Sequence, residues 1–218
     1  MVIGICLNGV GKMSDFTYEN VDKVTPLETY EWDNVWIQRT DDKKSPRVLY
    51  IGDSISCALR VFGNGVTKEE ILIDSFGTSK AIDNPYYWDA LRLFSLQEGH
   101  RDVVLFNNGL HGWHLDDEND YPAYYEQMLC KILDEFKDSK IVIVLTTAVA
   151  KEERHRRVKV RNGAVKKIAE KYNLDVIDLY TVSEENMNLL GDDGVHFNAD
   201  GYTCLSEYLV KEIKRILK

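Results

Sequence analysis

The chain has 218 residues, 44% of them hydrophobic, enough to bury a sizeable core in a single domain. Its 27 basic and 36 acidic side chains give a net charge of -9, and no dense basic face interleaved with aromatics occurs, which argues against nucleic acid as a partner. No apolar run approaches the length needed to cross a bilayer, and Cys6, Cys57, Cys130 and Cys204 form no CxxC pair, which argues against a membrane span, a zinc ribbon or a disulfide scaffold.

The opening stretch Met1 to Asn8 is apolar but lacks a basic n-region and is soon broken by Gly9, Gly11 and Lys12, so it makes a poor signal peptide. The expectation is a cytoplasmic protein, secreted only if a leader has been removed. Residues 1–45 carry weak periodicity, with Phe16, Tyr18, Tyr30, Trp32 and Trp36 scattered among polar residues, and read as an N-terminal arm or short strands against a main body of residues 46–218. Asn8-Gly9-Val10-Gly11-Lys12 fails as a phosphate loop, because the pattern would need glycine at Cys6 and a hydroxyl residue at Met13. The charged connector Asp41 to Ser45 ends at Pro46, which punctuates the chain.

From there strand-like and helix-like segments alternate. Val48 to Ile51 reads as a strand, followed by a helix from Ile55 to about Phe62 that Gly63-Asn64-Gly65 would terminate. Ile71 to Phe76 is a second strand ending at Gly77, and the next helix carries Tyr87, Trp88, Leu91 and Phe94 on one face. Val103 to Phe106 is a third strand, opening into Asn107-Asn108-Gly109-Leu110-His111-Gly112-Trp113-His114. A helix begins near Pro122, Ile141 to Leu145 is a fourth strand, an amphipathic helix holds Ala164, Val165, Ile168, Ala169 and Tyr172, Val176 to Leu179 is a fifth strand, and a last helix runs from about Asp200 to Leu217. The basic run Lys151 to Arg161 reads as a solvated loop and helix face. Five apolar strands separated by helices predict a three-layer α/β/α sandwich around a parallel sheet.

In such folds ligands sit beyond the carboxyl ends of the strands. That rule gathers Ser54, Gly77, the Asn107 to His114 loop and the loop carrying Asp193 and His196 on one rim. A serine where a strand gives way to a helix stands in the positive field of the helix N-terminus, although Ser54 or Ser56 serves equally well as a simple helix cap. Serine at its ordinary pKa needs an adjacent base, and the base needs a third group to fix its tautomer. His196, with Asp193 three residues before it, supplies both roles. The pair His111 and His114, with Asp116 and Asp117 nearby, invites a metal site, but the spacing falls in a loop and no HExxH accompanies it, so neither a metal nor a cofactor is expected. Trp113 and Tyr86-Tyr87-Trp88 are candidates for an aromatic wall beside a sugar or acyl group, or for core.

These residues resemble the SGNH or GDSL hydrolase family. Gly52-Asp53-Ser54-Ile55 is similar to its first block with isoleucine for the usual leucine, Gly77 falls at the second-block glycine, and Asp193-Gly194-Val195-His196 matches the closing D-x-x-H. The resemblance spans residues 47–218 and implies a flavodoxin-like SGNH fold in which Ser54 attacks an ester, His196 is the base and Asp193 orients it. It also implies oxyanion donors at the backbone of Ser54 and Gly77. The third block departs from the family's G-x-N-D. The matching tetrad is Gly109-Leu110-His111-Gly112, so the third donor is His111, Asn107 or Asn108. Losing one such donor typically costs about 100- to 1000-fold in rate. The expected activity is that of a serine esterase on small acyl esters, with an acetylated carbohydrate as the substrate by analogy. The alternatives are a non-catalytic glycan- or ligand-binding module on the same fold and a lysophospholipase or thioesterase.

Overall fold

The structure, a computed structural model, describes residues 25–97 and 99–218. The segment tested for a signal peptide and a phosphate loop lies outside these residues, as do Phe16 and Tyr18.

Among the described residues six strands form one sheet in the order β1-β3-β2-β4-β5-β6, comprising β1 (Asp33–Trp36), β2 (Arg47–Gly52), β3 (Leu72–Thr78), β4 (Val103–Phe106), β5 (Lys140–Val144) and β6 (Asp175–Ile177). The five strands β2 to β6 are the parallel set expected from the sequence, and β1 adds an antiparallel edge against β3, with Val35 opposite Phe76. That edge strand is a short strand within residues 1–45, the segment read as an arm or short strands against the main body, and its exposed residues carry no alternation that would have placed it.

Every residue of β2, β3 and β4 is buried, as a sheet covered on both faces demands. Alternate side chains feed two cores. Leu49, Ile51, Phe76 and Val104 meet α2 (Tyr87–Ser95), α3 (Asp120–Glu135) and α4 (Glu152–Lys171). Val48, Tyr50, Ile73 and Leu105 meet α1 (Ser54–Thr67), α5 (Leu179–Glu185) and α6 (Ala199–Ile216) on the other face. The architecture is thus a three-layer α/β/α sandwich. Among the described residues no helix is long and apolar enough to cross a membrane.

Three local expectations change. Gly63-Asn64-Gly65 does not end α1, which continues to a left-handed Lys68 at φ 50°. Gly63 instead lets the helix approach β3, where an added Cβ would stand 2.8 Å from Ile73 Cδ1, and the Asn64 amide brackets Ile73 by donating to its carbonyl and accepting from its N–H. The strand expected at Val176 to Leu179 ends at Ile177, because Asp178 caps α5 by accepting from Thr181 N. The basic run is only partly a solvated face, since Arg157 and Arg161 are buried.

A second buried charge cluster lies at the amino edge of the sheet. Asp74 on β3 is fully buried, 2.9 Å from Arg47 Nη1 and 3.2 Å from Arg101 Nε, and both arginines are buried too. Burial raises the Asp74 carboxyl above the usual range, outweighing the opposing pull of the Gln38 N–H and the two arginines. Arg47 also donates to the carbonyls of Gln38, Arg39 and Asp42, so the same cluster fastens the connector that follows β1. Asp74→Asn keeps the shape but leaves two buried guanidinium groups without their counter-charge, and a loss of about 3–5 kcal/mol of unfolding free energy is expected in urea denaturation.

Candidate active site

The turn from β2 into α1 explains why Ser54 is not spent as a cap. Asp53 occupies the N-cap, its Oδ1 accepting from Ile55 N at 2.9 Å, while Ser56 Oγ donates back to the Asp53 carbonyl at 2.7 Å. Ser54 is the first residue of the helix, and its Oγ lies 2.7 Å from His196 Nε2. On the other side of the ring, His196 Nδ1 lies 2.7 Å from Asp193 Oδ2. The three residues singled out in the sequence therefore form one continuous chain of hydrogen bonds.

The loop before α6 is built to hold that chain. Asp193 Oδ1 accepts from the N–H groups of Val195 and His196, and Gly194, at φ 68°, lets the turn close. Gly191 N donates to the His196 carbonyl, and Ala150 N, just before α4, donates to the Gly194 carbonyl. Burial works to raise the Asp193 carboxyl, but the His196 ring and the two N–H donors prevail and hold it below its ordinary value. The pair is open to solvent, with the His196 and Asp193 side chains 43% and 55% exposed.

Gly77 packs where β3 passes the start of α1. A Cβ there would collide with Cys57 Sγ and stand 3.1 Å from the Asp53 carbonyl. Gly109, at φ 69°, lies flush against the Asp53 carboxylate, which brings the loop after β4 beside the serine turn.

The three candidates in that loop separate. The Asn107 amide is committed to the Val144 carbonyl at 2.7 Å and Thr146 Oγ1 at 3.1 Å, on β5 and the loop after it. The buried Asn108 amide donates to the Lys80 carbonyl at 3.2 Å. His111 lies with Nδ1 3.5 Å from Glu28 Oε1 and edge-on to the Trp32 ring. His114 turns to a different carboxylate, Asp83, at 2.7 Å. Among the described residues no group of three or more His, Cys, Asp or Glu is arranged to hold a metal ion.

The loop's carbonyls are gripped from α4. Arg161 donates to the carbonyls of His111 and Gly112, Arg157 to those of Gly112 and Trp113, and both guanidinium groups pair with Asp117. Trp113 lies under Arg157 and Arg154, Tyr87 is a core residue stacked on Phe76, and Tyr86 is exposed. Reading the basic run by composition alone missed this clamp. The i, i+4 spacing of Arg157 and Arg161 on the helix that follows β5 was the one available signal. A cavity of about 20 Å³, room for a water molecule, is lined in part by Ile55, Leu110 and Val195, each next in sequence to a candidate site residue.

With this geometry in view, the likeness to known structures is specific to the fold. A lipase/acylhydrolase from Enterococcus faecalis superposes with a TM-score of 0.61 at 22% identity, over 79% of this chain and 97% of that one. The acetyl xylan esterase AlAXEase gives 0.61 at 18% identity, over 77% and 99%, and an acetylxylan esterase from Geobacillus stearothermophilus gives 0.61 at 17% identity, over 79% and 96%. No family model matches the sequence, and no curated protein matches it either. The chain has the fold of the SGNH hydrolases.

Because Cys57 Sγ blocks the space beside Gly77, Gly77→Ala should lower the melting temperature, and combining it with Cys57→Ala should recover part of the loss. Thermal unfolding of the two single variants and the double variant checks this.

Proposed function

We propose that the protein is a serine esterase that hydrolyses small acyl esters through Ser54, His196 and Asp193. The observation that carries this reading is the unbroken 2.7 Å and 2.7 Å path from the Ser54 hydroxyl through the imidazole to the Asp193 carboxylate. Asp193, held ionised by its donors, fixes the tautomer with hydrogen on Nδ1 and leaves Nε2 to accept the serine proton. Ser54 Oγ attacks the ester carbonyl as that proton passes to His196, which returns it to the departing alkoxide. Water, activated by the same imidazole, then releases the acyl group. In this reading the developing oxyanion is met by the backbone N–H groups of Ser54 and Gly77 that the family resemblance implies, with His111 as third donor.

Among the three loop candidates His111 is preferred, because the Asn107 and Asn108 amides are engaged elsewhere. The exposure of the His196–Asp193 pair suits a bulky, hydrophilic alcohol. That favours removal of acetyl groups from a carbohydrate, a reading that also agrees with the acetylxylan esterases among the structural neighbours.

The histidine at the third-block position favours a second reading, a ligand-binding module with a crippled oxyanion hole. A fluorophosphonate probe separates the two, since stoichiometric labelling of Ser54 requires an activated hydroxyl. On a p-nitrophenyl ester panel, wild type should prefer acetate, Ser54→Ala should lose at least about 1000-fold in kcat, and Asp193→Asn on the order of 1000- to 10,000-fold. Equal rates for wild type and Ser54→Ala would remove the serine from the mechanism.

A further inference from the structure

Glu28 is an unusual residue to find inside the protein. It belongs to the segment preceding β1, its side chain is 1% exposed, and burying a carboxylate costs several kcal/mol unless partners compensate. Its Oε1 accepts from Gly112 N at 2.8 Å and lies 3.5 Å from His111 Nδ1. The backbone of the same segment is anchored independently. Glu31 accepts from Ser79 Oγ, Asn84 Nδ2 and Glu28 N, the Trp32 carbonyl accepts from Ser79 N, and Asp33 pairs with Lys80. Glu28 is thus delivered to the loop after β4, which carries His111, by a segment bound to the loop that follows β3 and Gly77.

An imidazole donates from both nitrogens only when it is protonated on both. An asparagine at this position donates as a neutral amide, whereas a histidine that gives its Nδ1–H to a carboxylate can also donate from Nε2 only as a cation, and charge-assisted hydrogen bonds are roughly twice as strong as neutral ones. We propose that Glu28 is a positioning residue for the third oxyanion donor: its carboxylate takes the Nδ1–H of His111, orients the ring and keeps it doubly protonated, so that Nε2–H meets the oxyanion. Other charges at the loop come from α4, where Arg161 and Arg157 reach it through its carbonyls, and from Asp117, which pairs with both. The Glu28 carboxylate lies 3.5 Å from the ring's Nδ1.

The inference rests on the esterase reading, and the test keeps the two apart. kcat and KM for p-nitrophenyl acetate are measured from pH 5 to 10 for wild type, Ser54→Ala, Glu28→Gln, His111→Asn and the double variant Glu28→Gln/His111→Asn. Undiminished turnover by Ser54→Ala would sink the esterase reading, and this inference with it.

With that reading intact, a cationic donor predicts that activity is lost as pH rises through the His111 titration. Glu28→Gln retains an acceptor for Gly112 N. It should lower kcat about tenfold with KM little changed, and move the alkaline limb about one unit to lower pH. His111→Asn should abolish that limb, and adding Glu28→Gln to it should change kcat no further. Wild-type kcat and alkaline limb in Glu28→Gln would overturn the inference, as would an equal loss in the His111→Asn background, which marks a purely structural role. Should Glu28→Gln not fold, an NMR titration of His111 in the wild-type protein decides. A value above the ordinary histidine range of about 6.5 supports the assignment, and one at or below it refutes it.

Discussion

A parallel strand buried on both faces favours apolar side chains along its length, and β2 keeps its charged and proposed catalytic groups at its ends. Val48 to Ile51 are fully committed to the two cores, so polar chemistry begins only where the strand stops, at Gly52-Asp53-Ser54. There the helix needs a cap, and Asp53 provides it. That division of labour leaves the Ser54 hydroxyl to His196, and Gly77 on β3 and Gly109 in the loop after β4 let their backbones crowd against the same turn.

Buried charge is used at both edges of the sheet for one purpose, to hold irregular backbone. At the amino edge Arg47 collects three connector carbonyls while Asp74 balances it and Arg101. At the carboxyl edge Arg157 and Arg161 collect the carbonyls of residues 111–113 while Asp117 balances them. Loops of this kind cannot satisfy their own oxygens, and a guanidinium with five donors can serve several at once. The loop that carries His111 therefore owes its shape to helix α4, far from it in sequence.

What the sequence disclosed follows from range. Continuous apolar runs announced β2 to β6, and the topological rule for parallel sheets named the rim before any motif did. The Asp193–His196 turn was legible because both partners lie within one short stretch, and Ser54 because a strand ends in front of it. The course of α1 through Gly63 was not legible, since a glycine that serves close packing on Ile73 looks the same as one that ends a helix. Nor was the pairing of β1 with β3, which its own pattern does not show, nor the burial of Arg157, Arg161 and Glu28, whose partners are 40 to 84 residues away. Hydrophobic periodicity reports which face of an element is covered. It is silent on which charge will be drawn inward to meet a carbonyl.

Acid and imidazole share one tight turn, fastened through Gly191, Gly194 and Ala150, so they travel as a single rigid part. The hydroxyl belongs to another part, the head of α1, and the Ser54–His196 hydrogen bond spans the two. Loosening of the sandwich would therefore part serine from imidazole long before it parted imidazole from carboxylate. The reactivity of Ser54 becomes a gauge of how well α1 and α6 stay in register, and it would fade while the helices and sheet still look intact.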